Sequence, residues 1–211
     1  MNLVKVLPGL LLAAPVFADT LDWQQAFPVD QATHDVYAEA HYLDAQGLPH
    51  VLQLWREGER QLTRLTDHSV MISVTRNSGE EDNYQVYDLK RKTVIAADRS
   101  QLFRIGIFSD WMGMAHMLSK PQRTTYAITA MQPATQTTAW GMCHWYKLAL
   151  PAQDDREICW SASWALPLLI RQHQQTVFDV SALSNVAPDN FTGIARQAYT
   201  RIDVNDDIDS D

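Results

Sequence analysis

From residue 36 onward, apolar and polar residues alternate in short runs, the two-residue period of half-buried strands. Six runs follow one another: Val36–Tyr42, His50–Arg56, Gln61–Thr66, Val70–Thr75, Tyr84–Asp88 and Thr93–Ala97. Turn-forming stretches part them, among them Asp44–Pro49, Glu57–Arg60, Asn77–Asn83 and Leu89–Lys92. Six strands joined so briefly predict an antiparallel meander. In the second run Leu52 and Leu54 share one face, with Val51, Gln53 and Trp55 on the other. Leu21–Phe27 reads as a short helical or mobile start.

The pattern changes between Ser100 and Ser119. There Leu102, Ile105, Phe108 and Trp111, then Met114, Met117 and Leu118, recur three or four apart. Ser109 or Asp110 can cap a second helical piece, Pro121 lies beyond its end, and Gly106 and Gly113 weaken the interior, so two short helices are expected. Alternation resumes at Thr124–Met131, Trp140–Leu150, Glu157–Ser163, Leu168–Gln172 and Thr176–Ser184. Asp154 and Asp155 mark the tip of one hairpin. Asn190–Tyr199 is a last short helix or an irregular arm. The expected class is α+β, mostly antiparallel: a large sheet that curls or splits, with helices packed in its concave side.

The ends add an address. Lys5 precedes an apolar stretch from Leu7 to Phe17, and Val16-Phe17-Ala18 is a small-x-small cleavage site, so residues 1–18 read as a signal peptide. The stretch is shorter than the roughly 20 residues of a membrane-crossing helix. Asp19 rather than Cys follows the site, which argues against a lipid anchor. The expected product is exported to the periplasm and unanchored, one domain over 19–202 with an acidic tail at 203–211. The 211-residue chain has a formal charge of −8, and removing residues 1–18, with Lys5, leaves 193 residues at −9. So acidic a chain gains nothing from phosphate neutralisation, which speaks against nucleic acid. In an oxidising compartment Cys143 and Cys159 are most simply a disulfide closing a loop of about 15 residues, worth on the order of 3 kcal/mol; two free buried thiols are the alternative.

Candidate chemistry is sparse. No GxSxG or HExxH spacing occurs, so no catalytic residue, metal ligand or cofactor is assigned. Met112, Met114, His116 and Met117, with Met142-Cys143-His144, have the donor types of a copper(I) site. On one helix, however, Met112 and His116 share a face that Met114 and Met117 do not. Copper handling therefore stays an alternative. The aromatic residues say more: Trp140, Trp145, Trp160 and Trp164 fall within 25 residues. Trp55, Trp111, Met114, Met117 and Trp145 are the residues expected to line an apolar cavity.

The order of elements resembles the LolA/LolB-like superfamily of periplasmic lipoprotein carriers and lipid-sensing regulators. The stretches that carry the likeness are Val86-Tyr-Asp-Leu-Lys-Arg-Lys-Thr-Val94, Leu166-Pro-Leu-Leu-Ile170 and Thr176-Val-Phe-Asp-Val180. The resemblance implies an unclosed β-barrel with a helical lid over a hydrophobic cavity, and non-catalytic binding of an acyl chain, lipid or lipoprotein. Family carriers hold the lid closed with an arginine; Arg56, Arg60 and Arg64 compete for that place and none is chosen. The Cys143/Cys159 hairpin and acidic tail depart from the family pattern. A regulatory or assembly module binding a periplasmic protein is the alternative of a different class.

Overall fold

The computed structural model describes residues 20–29, 34–76, 83–97, 110–122, 125–151, 154–194 and 198–202. The signal segment, the tail at 203–211 and the first of the two expected central helices lie outside the described residues.

Twelve strands form one sheet: β1 (Val36–Leu43), β2 (Pro49–Glu57), β3 (Gln61–Thr66), β4 (Val70–Thr75), β5 (Asn83–Asp88), β6 (Thr93–Ala97), β7 (Ala127–Thr138), β8 (Gly141–Ala149), β9 (Arg156–Ser161), β10 (Leu166–Gln172), β11 (Gln175–Ser184) and β12 (Thr200–Ile202). Their spatial order is β12-β6-β5-β4-β3-β2-β1-β11-β10-β9-β8-β7. Every pairing is antiparallel except β12 with β6. The sheet is not closed: β7 and β12 are its two edges. The expected meander is β1–β6, and β7–β11 form a second one joined to it by β1 pairing β11. Among the described residues three short helices accompany the sheet: α1 (Trp23–Ala26), α2 (Trp111–His116) and α3 (Asp189–Thr192).

Local chemistry explains the corners. His173 and Gln174 link β10 to β11 with φ of 50° and 64°, the doubly positive backbone of a two-residue hairpin turn that matches strand twist. Pro133 interrupts β7 with a cis bond after Gln132, at a shift in register between Ala130 and Thr135. An edge strand tolerates a residue that cannot donate to the ladder. Asp22 and Gln25 cap α1 reciprocally. Asp110 caps α2 by accepting from the Gly113 N–H at 2.7 Å.

Strand parity sorts side chains onto two faces. The inner face carries Val36, Ala38, Leu54, Leu62, Val74 and Tyr84 from β1–β5, packed against Trp111, Met114 and Ala115 of α2. It continues across β8–β11, where Phe27, just after α1, makes edge-to-face contacts with Tyr146 and Trp160. The outer face buries Tyr37, Leu65, Met71 and Tyr87 under the C-terminal arm, through Ala187 and Phe191. The arm then delivers β12 to the free side of β6. The disulfide joins Cys143 of β8 to Cys159 of β9, Cα atoms 5.3 Å apart. No helix among the described residues is long and apolar enough to cross a membrane.

Candidate functional site

The inner face carries two arginines in phase with apolar neighbours, and they have different surroundings. Arg56 follows Leu52 and Leu54 on β2 and is fully buried. Its Nη1 donates to Ala115 O at 3.0 Å, and its Nη2 donates to Trp164 O at 3.1 Å. Ala115 O belongs to the last turn of α2, whose carbonyls have no partner within the helix. Trp164 lies in the turn between β9 and β10. One guanidinium on β2 thus ties the helix to the far half of the sheet. Burial is the main influence on its pKa and pushes it down to about 10, so it remains a cation at neutral pH.

His116 completes this latch. Its Nδ1 lies 2.6 Å from Arg56 Nη1 and 2.9 Å from Ala165 O. Arginine only donates, so the shorter contact needs an unprotonated Nδ1, which cannot also donate to Ala165 O, and a proton on Nε2. That tautomer aims Nε2–H at Glu59 Oε1, 3.5 Å away and too long for a hydrogen bond. The Trp111 Nε1–H donates to Glu59 Oε2 at 2.7 Å, with Arg76 Nη1 at 3.4 Å from the same oxygen. His116 first, then the Trp111 N–H, hold the Glu59 carboxyl below its ordinary range, against burial. The Arg76 guanidinium also stacks 5.0 Å from the Trp111 ring. Both ends of α2 are therefore pinned to β2 and the turn that follows it by polar contacts.

Next to the latch is a cavity of about 410 Å³. Leu52, Met117, Ile170, Val177 and Phe178 give it apolar walls; Gly113, Met117 and Ser119 close one side from α2 and the residues after it. Met117 takes the left-handed conformation at the end of the helix, φ 54° and ψ 21°. A β-carbon on Gly113 would stand 2.1 Å from Ser119 Oγ and 3.2 Å from the Asp110 oxygen that caps the helix, so this position needs glycine. Arg64 on β3 and Arg156 on β9 also line the cavity. Arg64 faces its interior from the apolar phase of β3, and burial pushes its guanidinium below the ordinary value.

The rim carries a third polar group. His50 lies between two carboxylates, Nδ1 at 2.6 Å from Asp67 Oδ2 and Nε2 at 3.2 Å from Asp44 Oδ2. Tyr42 stacks on its ring at 5.1 Å. The Asp67 contact leads in raising the His50 pKa; the Leu48 N–H leads in lowering that of Asp44, and His50 in lowering that of Asp67.

The residues expected to line a cavity are distributed widely. Met117 lines this one. Met114 and Trp111 are buried between α2 and the sheet. Trp55 lies on the outer face under the C-terminal arm, its Nε1 donating to Glu57 Oε1. Trp145 pairs with Cys159 on the same outer side, donates to Gln136 and stacks under Arg171 at 4.7 Å. The tryptophans are anchored mostly by their own N–H groups, as Trp140 is on Val180 O and Trp164 on Trp140 O. The methionine–histidine set is likewise split: Met112 lines a groove beside α1, Met114 is in the core, His116 is engaged by Arg56, and Met117 reaches the cavity. Among the described residues no three His, Cys, Asp or Glu side chains cluster as metal ligands. Arg56, Arg64 and Arg156 were not assigned any role from the sequence. Their signal is a cation in phase with apolar residues on the buried face of a strand.

Fold and site together define a class: an unclosed antiparallel sheet whose inner cavity is bounded by a short, side-chain-latched helix. Solved structures that the chain matches include PNGF-II in two crystal forms, with TM-scores of 0.44 and 0.41 at 8% and 6% identity. Each match covers 83% of this chain and 32% of that one, so the chain spans about a third of PNGF-II. Another is a putative outer membrane lipoprotein-sorting protein domain from Vibrio parahaemolyticus, with a TM-score of 0.33, 12% identity, and coverage of 79% of this chain and 92% of that one. No family model matches the chain, and no curated protein matches its sequence.

Proposed function

We propose that this protein is a non-catalytic periplasmic binding protein for a hydrophobic ligand: an acyl chain, a lipid, or the acyl part of a lipoprotein. The observation that carries the reading is the 410 Å³ cavity with walls of Leu52, Met117, Ile170, Val177 and Phe178. Its volume falls within the range of small-molecule sites, about 300–1,000 Å³. Each methylene moved from water into such a site contributes about 0.8 kcal/mol, so a medium-length chain supplies micromolar binding before any polar contact. The latch adds a means of admission: α2 bounds the cavity and is held there by contacts that can break without unfolding the sheet. The Cys143–Cys159 disulfide supports an oxidising compartment.

The test is titration of the protein lacking residues 1–18 with an environment-sensitive fluorescent fatty acid. A saturable rise in emission with a micromolar dissociation constant is expected, reversed by unlabelled decanoate. Emission that stays flat into the high micromolar range would sink the cavity reading.

A further inference from the structure

We infer that the cavity takes a single-chain amphiphile with an anionic head, received by the Arg64 guanidinium with Arg156 beside the entrance. This rests on the cavity reading above and adds the polarity and size of its ligand.

The argument starts from what Arg64 lacks. Among the described residues no hydrogen bond or ion pair engages it, although β3 aims it at the interior beside Leu52 and Ile72. Arg56, one strand away on the same face, has two carbonyls and a histidine. Arg64 is half-buried, and a cation held so on an apolar wall without a protein partner marks a position where an anion supplies the missing contacts. The nearest carboxylate on the cavity wall does not supply them. Asp44 Oδ1 accepts from the Gln46 and Leu48 N–H groups, and its Oδ2 faces His50. Tyr42 would favour the Arg64 cation only as a phenolate, and burial raises its pKa, so at neutral pH it brings no charge. Arg156 also lines the cavity, pairs in register with Gln172 on β10, and has no ion-pair partner among the described residues. Two guanidiniums above apolar walls form a site for an oxyanion joined to a chain, and arginine's fork fits carboxylate and phosphate alike.

Volume narrows the class. About 410 Å³ lies at the small end of ligand cavities, which suits one chain and not the several chains of a whole membrane lipid. The shared chemistry is an oxyanion on one chain; a fatty carboxylate and a phosphate monoester are its two sources.

Calorimetric titration of the protein lacking residues 1–18 with decanoate, decyl phosphate, decanol and inorganic phosphate, all below micelle formation, separates the possibilities. The expected result is at least tenfold tighter binding of decanoate or decyl phosphate than of decanol, the tighter of the two naming the head. R64Q should bring the anionic ligands to within about threefold of decanol and leave decanol unchanged, while R64K keeps the preference. The preference is read on the unsubstituted protein, so it survives a variant that fails to fold. Equal binding of decanol and the anions overturns the inference and leaves the cavity reading standing. Binding of none of the chains overturns both. Inorganic phosphate matching decyl phosphate overturns the amphiphile in favour of a free-anion site.

Discussion

Replacing Arg56 with methionine removes the latch and leaves a side chain of similar length on β2. Lost are three hydrogen bonds from a charged donor, to Ala115 O, Trp164 O and His116 Nδ1, each worth about 1.5–3 kcal/mol, a gross cost of about 4.5–9 kcal/mol. Against it stands the burial of the cation. A pKa brought from 12.5 to about 10 means that burial disfavours the charged form by about 3 kcal/mol, and methionine relieves that. The net destabilisation is therefore about 1–6 kcal/mol, which in a domain of this size lowers Tm by up to about 20 °C. The loss should be local. With Ala115 O released, amides of the Trp111–Leu118 segment should exchange with deuterium up to about 100-fold faster, while β1–β3 keep their protection. Deuterium exchange read by mass spectrometry, with a melting curve, measures both. If Tm falls while that segment exchanges at the original rate, Arg56 is not what holds α2. If protection collapses across the whole sheet, burial of the Arg56 cation costs less than about 3 kcal/mol.

Other outcomes follow from features already described. Titration with Ellman's reagent under denaturing conditions should find no free thiol, and replacing both Cys143 and Cys159 with alanine should cost on the order of 3 kcal/mol in a denaturant melt. His50 has a raised pKa, so its contribution is present below its unfolded value and lost as pH rises through the folded one; Asp44 and Asp67, lowered, contribute above about pH 4 and lose it as pH falls. Stability from this cluster should peak between about pH 4 and 6.5, and His50→Gln should flatten Tm against pH on the alkaline side. Phe191→Ala should destabilise by roughly 3 kcal/mol, and a dye for exposed apolar surface should bind as the face of Tyr37, Leu65, Met71 and Tyr87 opens; unchanged stability would show that the arm does not cover that face.

Much of the sheet was legible because alternation is strong where one face is buried. Gln61–Thr66, Val70–Thr75 and Thr93–Ala97 match β3, β4 and β6 residue for residue. β12 was not, since three residues, one of them Arg201, carry no period, and their partner is distant in sequence and parallel. β7 runs seven residues past the expected Met131, because an edge strand absorbs Pro133 in a register shift. For the site, the alternation that set Leu52 and Leu54 against Trp55 already placed Trp55 on the opposite face, and aromatic abundance obscured it. The same phase puts Arg56 and Arg64 among apolar residues. Charge in the buried phase of a strand was the better guide, and only tertiary contacts distinguish the arginine with partners from the one without.

The parallel pairing of β12 with β6 also has a consequence for biogenesis. Thr93–Ala97 presents an unpaired ladder until Thr200–Ile202 arrives. During synthesis the first meander is complete long before its protecting strand exists, and an exposed edge of this kind recruits other chains. The fold therefore depends on timing: its first half must be kept from self-association until Thr200–Ile202 is delivered. Truncations that spare the cavity but remove those residues should yield a protein that is competent to bind yet prone to assemble through the bare side of β6.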